Sequence, residues 1–211
     1  MTEKNELKNL EFFKETAVEN VANFADKLTF EYFDKAISII DDAMAAGNRV
    51  HVTGIGKPGH VASYAASLLS STGTPSTFLN GTEAVHGSCG QLVAGDVVIC
   101  ISNSGETEEL KCTVEAIKNY GCKVIGLSGG EGSWLDRNSD VCLIAKVKEE
   151  GGPLNRAPMS SVLVECMAIQ GLAVMLETQC GLTVKDYIKR HPGGKLGQLR
   201  KDETGDEPAN A

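Results

Sequence analysis

The chain has 211 residues, enough for one α/β domain with a good-sized core. A formal charge of −8 argues against a general nucleic-acid binder, and no basic amphipathic segment points to a membrane surface. Scarce aromatics and 23 glycines suit a parallel sheet with many tight loops.

In chain order, residues 5 to about 46 read as two helices. Leu7, Leu10, Phe13 and Val21 mark the first, and Phe30, Phe33, Ala36, Ile37 and Ile40 mark the second, which Gly47 stops. Arg49–Gly54 is the first strand, followed by Gly54-Ile55-Gly56-Lys57 and a small-residue helix to Ser71. Gly73-Thr74-Pro75 turns into a short strand at Ser76–Leu79, and a short helix starts over Gly81–His86. The apolar run Val97–Ile101 predicts a strand buried on both faces, and Leu110, Val114 and Ile117 predict the helix behind it. Cys122–Leu127 and Asp140–Ala145 are the next strands, with a Gly129–Gly132 loop between them. Lys148–Pro158 is an irregular loop. A long helix then runs from about Ser160 to Thr178. Its apolar stretch Val162–Leu176 is broken by Glu165, Cys166 and Gln170, so it reads as a buried or interface helix and not as a membrane span. A brief helix near Val184–Lys189 leads into His191-Pro192-Gly193-Gly194, and residues 200–211 are expected to fray.

Alternating strands and helices predict an α/β fold, a doubly wound and mostly parallel five-stranded sheet, with residues 1–46 packing on it and the domain closing by 199. Ligands of such sheets sit at the carboxyl ends of strands, at a topological switch. The seven cysteines show no Cys-x-x-Cys or Cys/His metal spacing, and read as free thiols of a reducing compartment. The polar start Met1-Thr2-Glu3-Lys4-Asn5 is no secretory signal, so a cytoplasmic location is expected.

The chemistry centres on Ile101-Ser102-Asn103-Ser104-Gly105-Glu106-Thr107. A buried strand, a hydroxyl-rich turn and a helix start make an anion site. The open N–H groups point outward, and the helix dipole adds about half a positive charge. Ser102, Ser104 and Thr107 supply three hydroxyls for a phosphate. Gly54-Ile55-Gly56-Lys57 is neither a Walker A loop nor a dinucleotide fingerprint, which disfavours a nucleotide. Lys57 at the strand end is either a phosphate- or sugar-oxygen-polarising cation or a solvated lysine. Glu109 is a candidate acid/base, or a first-turn carboxylate placed for the helix dipole. Glu150, ahead of Gly-Gly-Pro on a shaped loop, is a candidate general base or a solvated loop residue. His86 and His191 read singly as structural, although the rigid turn after His191 can present an imidazole at a site edge. No nucleophile elbow, zincin motif or EF-hand loop occurs.

Five segments together resemble one family. They are Gly54-x-Gly56-Lys57-x-Gly59-His60, Ser71-Thr72-Gly73-Thr74-Pro75, Glu83-Ala84-x-His86-Gly87, Ile101–Glu106 and His191-Pro192-Gly193-Gly194-x-Leu196-Gly197. The chain from about residue 30 to 199 resembles the sugar-isomerase (SIS) domain of arabinose-5-phosphate isomerases, in a short form without the paired CBS regulatory domains. The resemblance implies a flavodoxin-like sandwich, a homotetramer, and interconversion of ribulose 5-phosphate and arabinose 5-phosphate on the way to the lipopolysaccharide sugar Kdo. It implies a catalytic set at Lys57, Glu109, Glu150 and His191, with His191 donated by a neighbouring subunit. Ser102, Ser104 and Thr107 would hold the phosphate, with Gly56, Glu83, His86 and Asn103 as further substrate contacts. The chain departs from the family pattern at Pro58, Ser88 and Met159. The expected reaction runs through a cis-enediol with Glu150 or Glu109 as base, and needs no metal or organic cofactor. The competing readings are a non-catalytic sugar-phosphate sensor and an isomerase of another phosphosugar, such as a hexulose 6-phosphate.

Overall fold

In the computed structural model, residues 3–206 are described. Five strands pair in the order β2-β1-β3-β4-β5. They are β1 Val50–Gly54, β2 Ser76–Phe78, β3 Val97–Ile101, β4 Lys123–Ser128 and β5 Val141–Ile144. All four pairings are parallel, so the sheet is parallel throughout. Every residue of β1 and β3 is buried, as unbroken apolar runs require when both faces are covered.

One face is covered by α1 (Glu3–Ala25), α2 (Phe30–Ala45), α3 (Lys57–Ser71) and α7 (Ser160–Cys180). The other face is covered by α4 (Gly81–Ala84), α5 (Glu108–Asn119) and α6 (Trp134–Asn138). This is the doubly wound arrangement expected from the sequence. In α2, Thr29 Oγ1 accepts the Tyr32 N–H, and Phe33, Ala36, Ile37 and Ile40 turn inward at helical spacing. Among the described residues, α7 is the one helix long and apolar enough to cross a membrane. Here Val164, Ala168, Ile169 and Leu172 are fully buried against the sheet, so α7 is a core helix of the fold.

Two short elements between β2 and β5 lie outside the sequence expectation. Ser133 caps α6 by accepting the Asp136 N–H, and a 3₁₀ turn forms at Ser88–Gln91. Both are too short to leave a periodic signature. Beyond α7, α8 (Val184–Arg190) is opened by a reciprocal Thr183/Asp186 capping box. Of the tail, residues 200–206 follow α8 closely enough for the Lys185 N–H to donate to Gly205 O, and residues 207–211 lie outside the described residues.

The chain crosses between helix layers at β1 and β3, which are neighbours in register from Val50↔Val97 to Gly54↔Ile101. Their carboxyl ends open the crevice in which such sheets bind ligands. At the other end of the sheet a buried His51–Asp96 pair (Nε2–Oδ2 3.0 Å) closes the core. Burial alone would raise the Asp96 carboxyl, but N–H groups of Val93 and Arg49, with His51 and Asn48, hold it below the usual range.

Candidate active site

The turn after β3 is held by its own hydrogen bonds. Ser102 is buried, and its Oγ lies 3.1 Å from Thr107 Oγ1, which closes the loop on itself. The Gly105 N–H donates to Ser102 O and Oγ, and the Glu106 N–H donates to Ser104 Oγ. Gly105 holds φ +65°, and a Cβ there would lie 2.1 Å from Ser133 Oγ, so only glycine fits. Glu106 ties the loop to α6 by accepting the Trp134 N–H at 2.8 Å, and pairs with Lys111. That N–H and the ammonium hold its carboxyl below the ordinary carboxylate range. Thr107 caps α5 without any side-chain cap bond. The first N–H groups of α5 are therefore uncapped, beside exposed Ser104.

Glu150 sits at a second helix start on the same edge. Its Oε2 accepts the N–H groups of Met159 (2.7 Å) and Ser161 (3.0 Å), and Ser160 Oγ donates to its carbonyl. Asn155 Oδ1 accepts the N–H groups of Glu150 and Gly151, which shapes the loop the sequence left irregular. Asn155 adopts φ 47°, the left-handed conformation asparagine tolerates. Asn103 Nδ2 approaches Glu150 Oε1 at 3.4 Å, joining the serine turn to the carboxylate. Glu150 is 9% exposed, so it is not the solvated loop residue that was the alternative.

Lys57 is exposed at the first residue of α3 and borders Pro158 across a groove of about 350 Å³. Gly54 and Gly59 let α3 approach β1 this closely, since a Cβ on Gly59 would meet Gly54 O at 2.8 Å. A second cleft of about 370 Å³ opens beside the same loop, lined by Gly56, His60, Ser63, Asn80 and Thr82 among others. Glu109 is exposed in the first turn of α5. One turn on, Thr113 Oγ1 donates to Gly81 O at 2.7 Å, which seats α4 against α5. Glu83 and His86 are exposed on and just after α4. The fold thus gathers Gly56, Lys57, Ser102, Asn103, Ser104, Thr107, Glu109 and Glu150 at the β1/β3 edge, with Glu83 and His86 on the neighbouring α4.

His191 does not join them within one chain. It follows α8, beyond the C-terminal end of α7, whereas Glu150 binds the N-terminal end. Twenty-one residues of α-helix span roughly 30 Å, and the seven of α8 retrace only about 10 Å. Its ring stacks on Tyr187 at 4.0 Å, and its Nδ1 lies 2.9 Å from Tyr187 O.

Residues 44–175 match the family model described as the SIS domain. The chain belongs to the SIS domain family. Among curated relatives of this SIS chain, "Arabinose 5-phosphate isomerase KdsD" of Pseudomonas aeruginosa is 39% identical over 173 residues, covering 82% of this chain and 53% of that protein. The protein of the same name from Escherichia coli K12 is 41% identical over 165 residues, covering 75% of this chain and 50% of that protein. The chain spans about half the length of the curated relatives it matches. Among solved structures, E. coli CFT073 c3406 in complex with arabinose 5-phosphate superposes with TM-score 0.83 and 32% identity, over 91% of this chain and 100% of that one. A Bacteroides fragilis protein, described as a putative phosphosugar isomerase involved in capsule formation, gives TM-score 0.82 and 31% identity over 90% and 98%.

One polar residue of this SIS domain escaped the sequence reading except as an interruption in an apolar run. Glu165 is 1% exposed on α7, and neither carboxyl oxygen has a hydrogen-bond partner. Burial, then the charge of Glu150, pushes its pKa up to about 8. The signal available was a lone acid among core-facing residues of a long apolar helix.

Proposed function

We propose that this SIS domain is an aldose–ketose isomerase that interconverts ribulose 5-phosphate and arabinose 5-phosphate. One observation carries the reading: an uncapped helix start edged with hydroxyls lies beside a fixed carboxylate, and Asn103 links the two. A phosphate needs the first and carbon acid chemistry needs the second. The relatives named as arabinose 5-phosphate isomerases, and the similar structure holding arabinose 5-phosphate, favour the pentose phosphate over a hexulose 6-phosphate.

The phosphate dianion sits on the N–H groups at the start of α5, with Ser104 and Thr107 hydroxyls donating to it. This fixes the sugar carbons relative to Glu150. Glu150 removes the proton from C-2 of the open-chain aldose, giving a cis-enediol, and returns that proton to C-1. Two backbone N–H bonds hold the second oxygen of Glu150 still, so one oxygen is left to do this work. Lys57 stabilises the charge that develops on the sugar oxygens during proton removal. Glu109, at the start of α5, is the second acid/base candidate, suited to ring opening or to proton exchange between O-1 and O-2. Only protons move, so the chemistry calls for no metal or organic cofactor.

His191 reaches the site of a neighbouring subunit, and the active form is a homotetramer. Leu7, Leu10 and Val18 on α1 and Leu163 and Val174 on α7 are exposed apolar side chains that such an assembly would cover. A soluble phosphosugar substrate fits a cytoplasmic enzyme supplying Kdo biosynthesis. The test is a panel of phosphorylated aldoses and ketoses followed by NMR. Conversion of ribulose 5-phosphate to arabinose 5-phosphate in preference to hexulose 6-phosphates supports the reading. Tight phosphosugar binding without conversion refutes it and leaves a sensor.

A further inference from the structure

Glu165 occupies a position where an apolar residue would be cheaper. Its neighbours on the inward face of α7 are Val164, Ala168, Ile169 and Leu172, all fully buried. A carboxyl group placed there without a partner disfavours the fold relative to leucine or methionine. Helical side chains tilt toward the N-terminus of their helix, so the Glu165 carboxyl lies over the turn that begins at Ser161, four residues earlier. Ser161 is the residue whose N–H holds Glu150 Oε2, and its own Oγ is buried without a partner. Glu150 is thus anchored from outside on the turn of α7 over which the Glu165 side chain leans from within, and neither Glu165 oxygen is hydrogen-bonded there.

We propose that Glu165 is a positioning residue for Glu150, a second carboxyl packed behind it from α7 that confines the negative charge of the pair to Glu150 and sets the alkaline limit of turnover. The inference rests on the reading of Glu150 as the base. Of the pair, Glu150 has the N–H donors and the helix start, so it carries the charge, while Glu165 has neither and keeps the proton. Burial and the facing Glu150 charge set its titration near pH 8. Above that, a second negative charge behind the base opposes both the phosphate dianion and the developing enediolate.

The other ionisable groups around α7 do not compensate for this charge. On α3, Lys57, His60 and Tyr64 line the groove on the Val162–Cys166 side, and the Cys166 thiol is itself pushed up by burial and by Glu165. On α1, Lys14, Glu15 and Glu19 are exposed, and the buried polar residues Thr16 and Asn20 are uncharged. On α2, Asp34, Lys35, Asp41 and Asp42 are exposed, while Tyr32 is largely buried with its hydroxyl unpartnered and its pKa raised. In the loop after β5, Lys146 and Lys148 are exposed and Glu149 half-buried.

The experiment pairs infrared titration with kinetics on the intact protein. In wild type, a protonated-carboxyl band present at pH 7 is expected to vanish with a midpoint near pH 8, and to be absent from Glu165→Gln. In Glu150→Gln, where the facing charge is gone, that midpoint is expected to fall by about half a pH unit or more. Wild-type kcat is expected to drop about tenfold from pH 7 to pH 9 with KM steady, and Glu165→Gln to remove that drop. No band at pH 7, a midpoint unmoved by Glu150→Gln, or the alkaline drop persisting in Glu165→Gln overturns the proposal. Should Glu165→Gln not fold, the wild-type and Glu150→Gln titrations decide. A coupled band in a protein that converts no pentose phosphate contradicts the isomerase reading and the alkaline limit together, while upholding the charge pair.

Discussion

Two helices begin at the same edge of this sheet and are finished differently. The start of α5 lacks a side-chain cap, and its hydroxyl oxygens shape the turn, Ser102 with Thr107 and Ser104 by accepting the Glu106 N–H, which leaves the Ser104 O–H able to donate. The start of α7 is filled, with Met159 and Ser161 N–H groups given to the Glu150 carboxylate. Helix starts have the same physical appetite for negative charge. The uncapped one is left open to an anion from solution, and the filled one has taken its anion from the chain. In the proposed function the contrast separates two tasks, with one start left for the phosphate and the other fixing the carboxylate that acts on the sugar.

Emptying the filled start gives the largest effect. Glu150→Gln is expected to lower kcat by about 10³-fold or more while KM and phosphosugar affinity change little, measured by steady-state conversion and calorimetry. A Glu150→Gln enzyme with undiminished kcat would make Glu150 a helix cap and nothing more, and would move the base to Glu109.

Distorting the uncapped start comes next. Gly105→Ala places a Cβ on Ser133 in a backbone conformation that alanine resists, so phosphosugar affinity is expected to fall by about 10²-fold with a melting point lower by several degrees. Removing one hydroxyl is milder. Ser104→Ala is expected to raise KM about tenfold and leave kcat within a factor of about three, because the lost bond to phosphate exists in both ground and transition states.

The smallest effect on neutral-pH chemistry, and one opposite in sign for stability, belongs to the residue behind the filled start. A Glu165 pKa of about 8 in the fold, against 4.5 for the free side chain, means the folded state binds the proton more tightly. Its contribution is fully present below the unfolded value and is lost as pH rises through the folded one. Glu165→Gln is therefore expected to unfold at higher urea than wild type, by an amount that grows from pH 5 to pH 8 and then levels.

How much of this was legible before the structure follows the same division. The α5 start was readable because strand, serines, glycine and amphipathic helix are contiguous, and local signals suffice for a local site. The doubly wound, five-stranded parallel sheet followed from alternating β and α signals, while its strand order came only with the structure and α6 was missed because five residues hold no period. Glu150 was readable as a candidate but not as a helix-start carboxylate, since its partners are nine and eleven residues away across an irregular loop. Glu165 was invisible as a site residue for a stronger reason: its meaning depends on what faces it in space. His191 was marked by the resemblance, and the geometry of a single chain leaves it remote from Glu150.

The central claim is proton transfer by Glu150 on a sugar gripped at α5. It is tested most directly by incubating the protein with arabinose 5-phosphate in D₂O and reading the sugar by NMR. The account predicts deuterium entering at C-2 of the aldose and C-1 of the ketose as the two interconvert, and no exchange in Glu150→Gln with the phosphosugar still bound. Binding without exchange in wild type, or exchange that survives Glu150→Gln at the full rate, would contradict it.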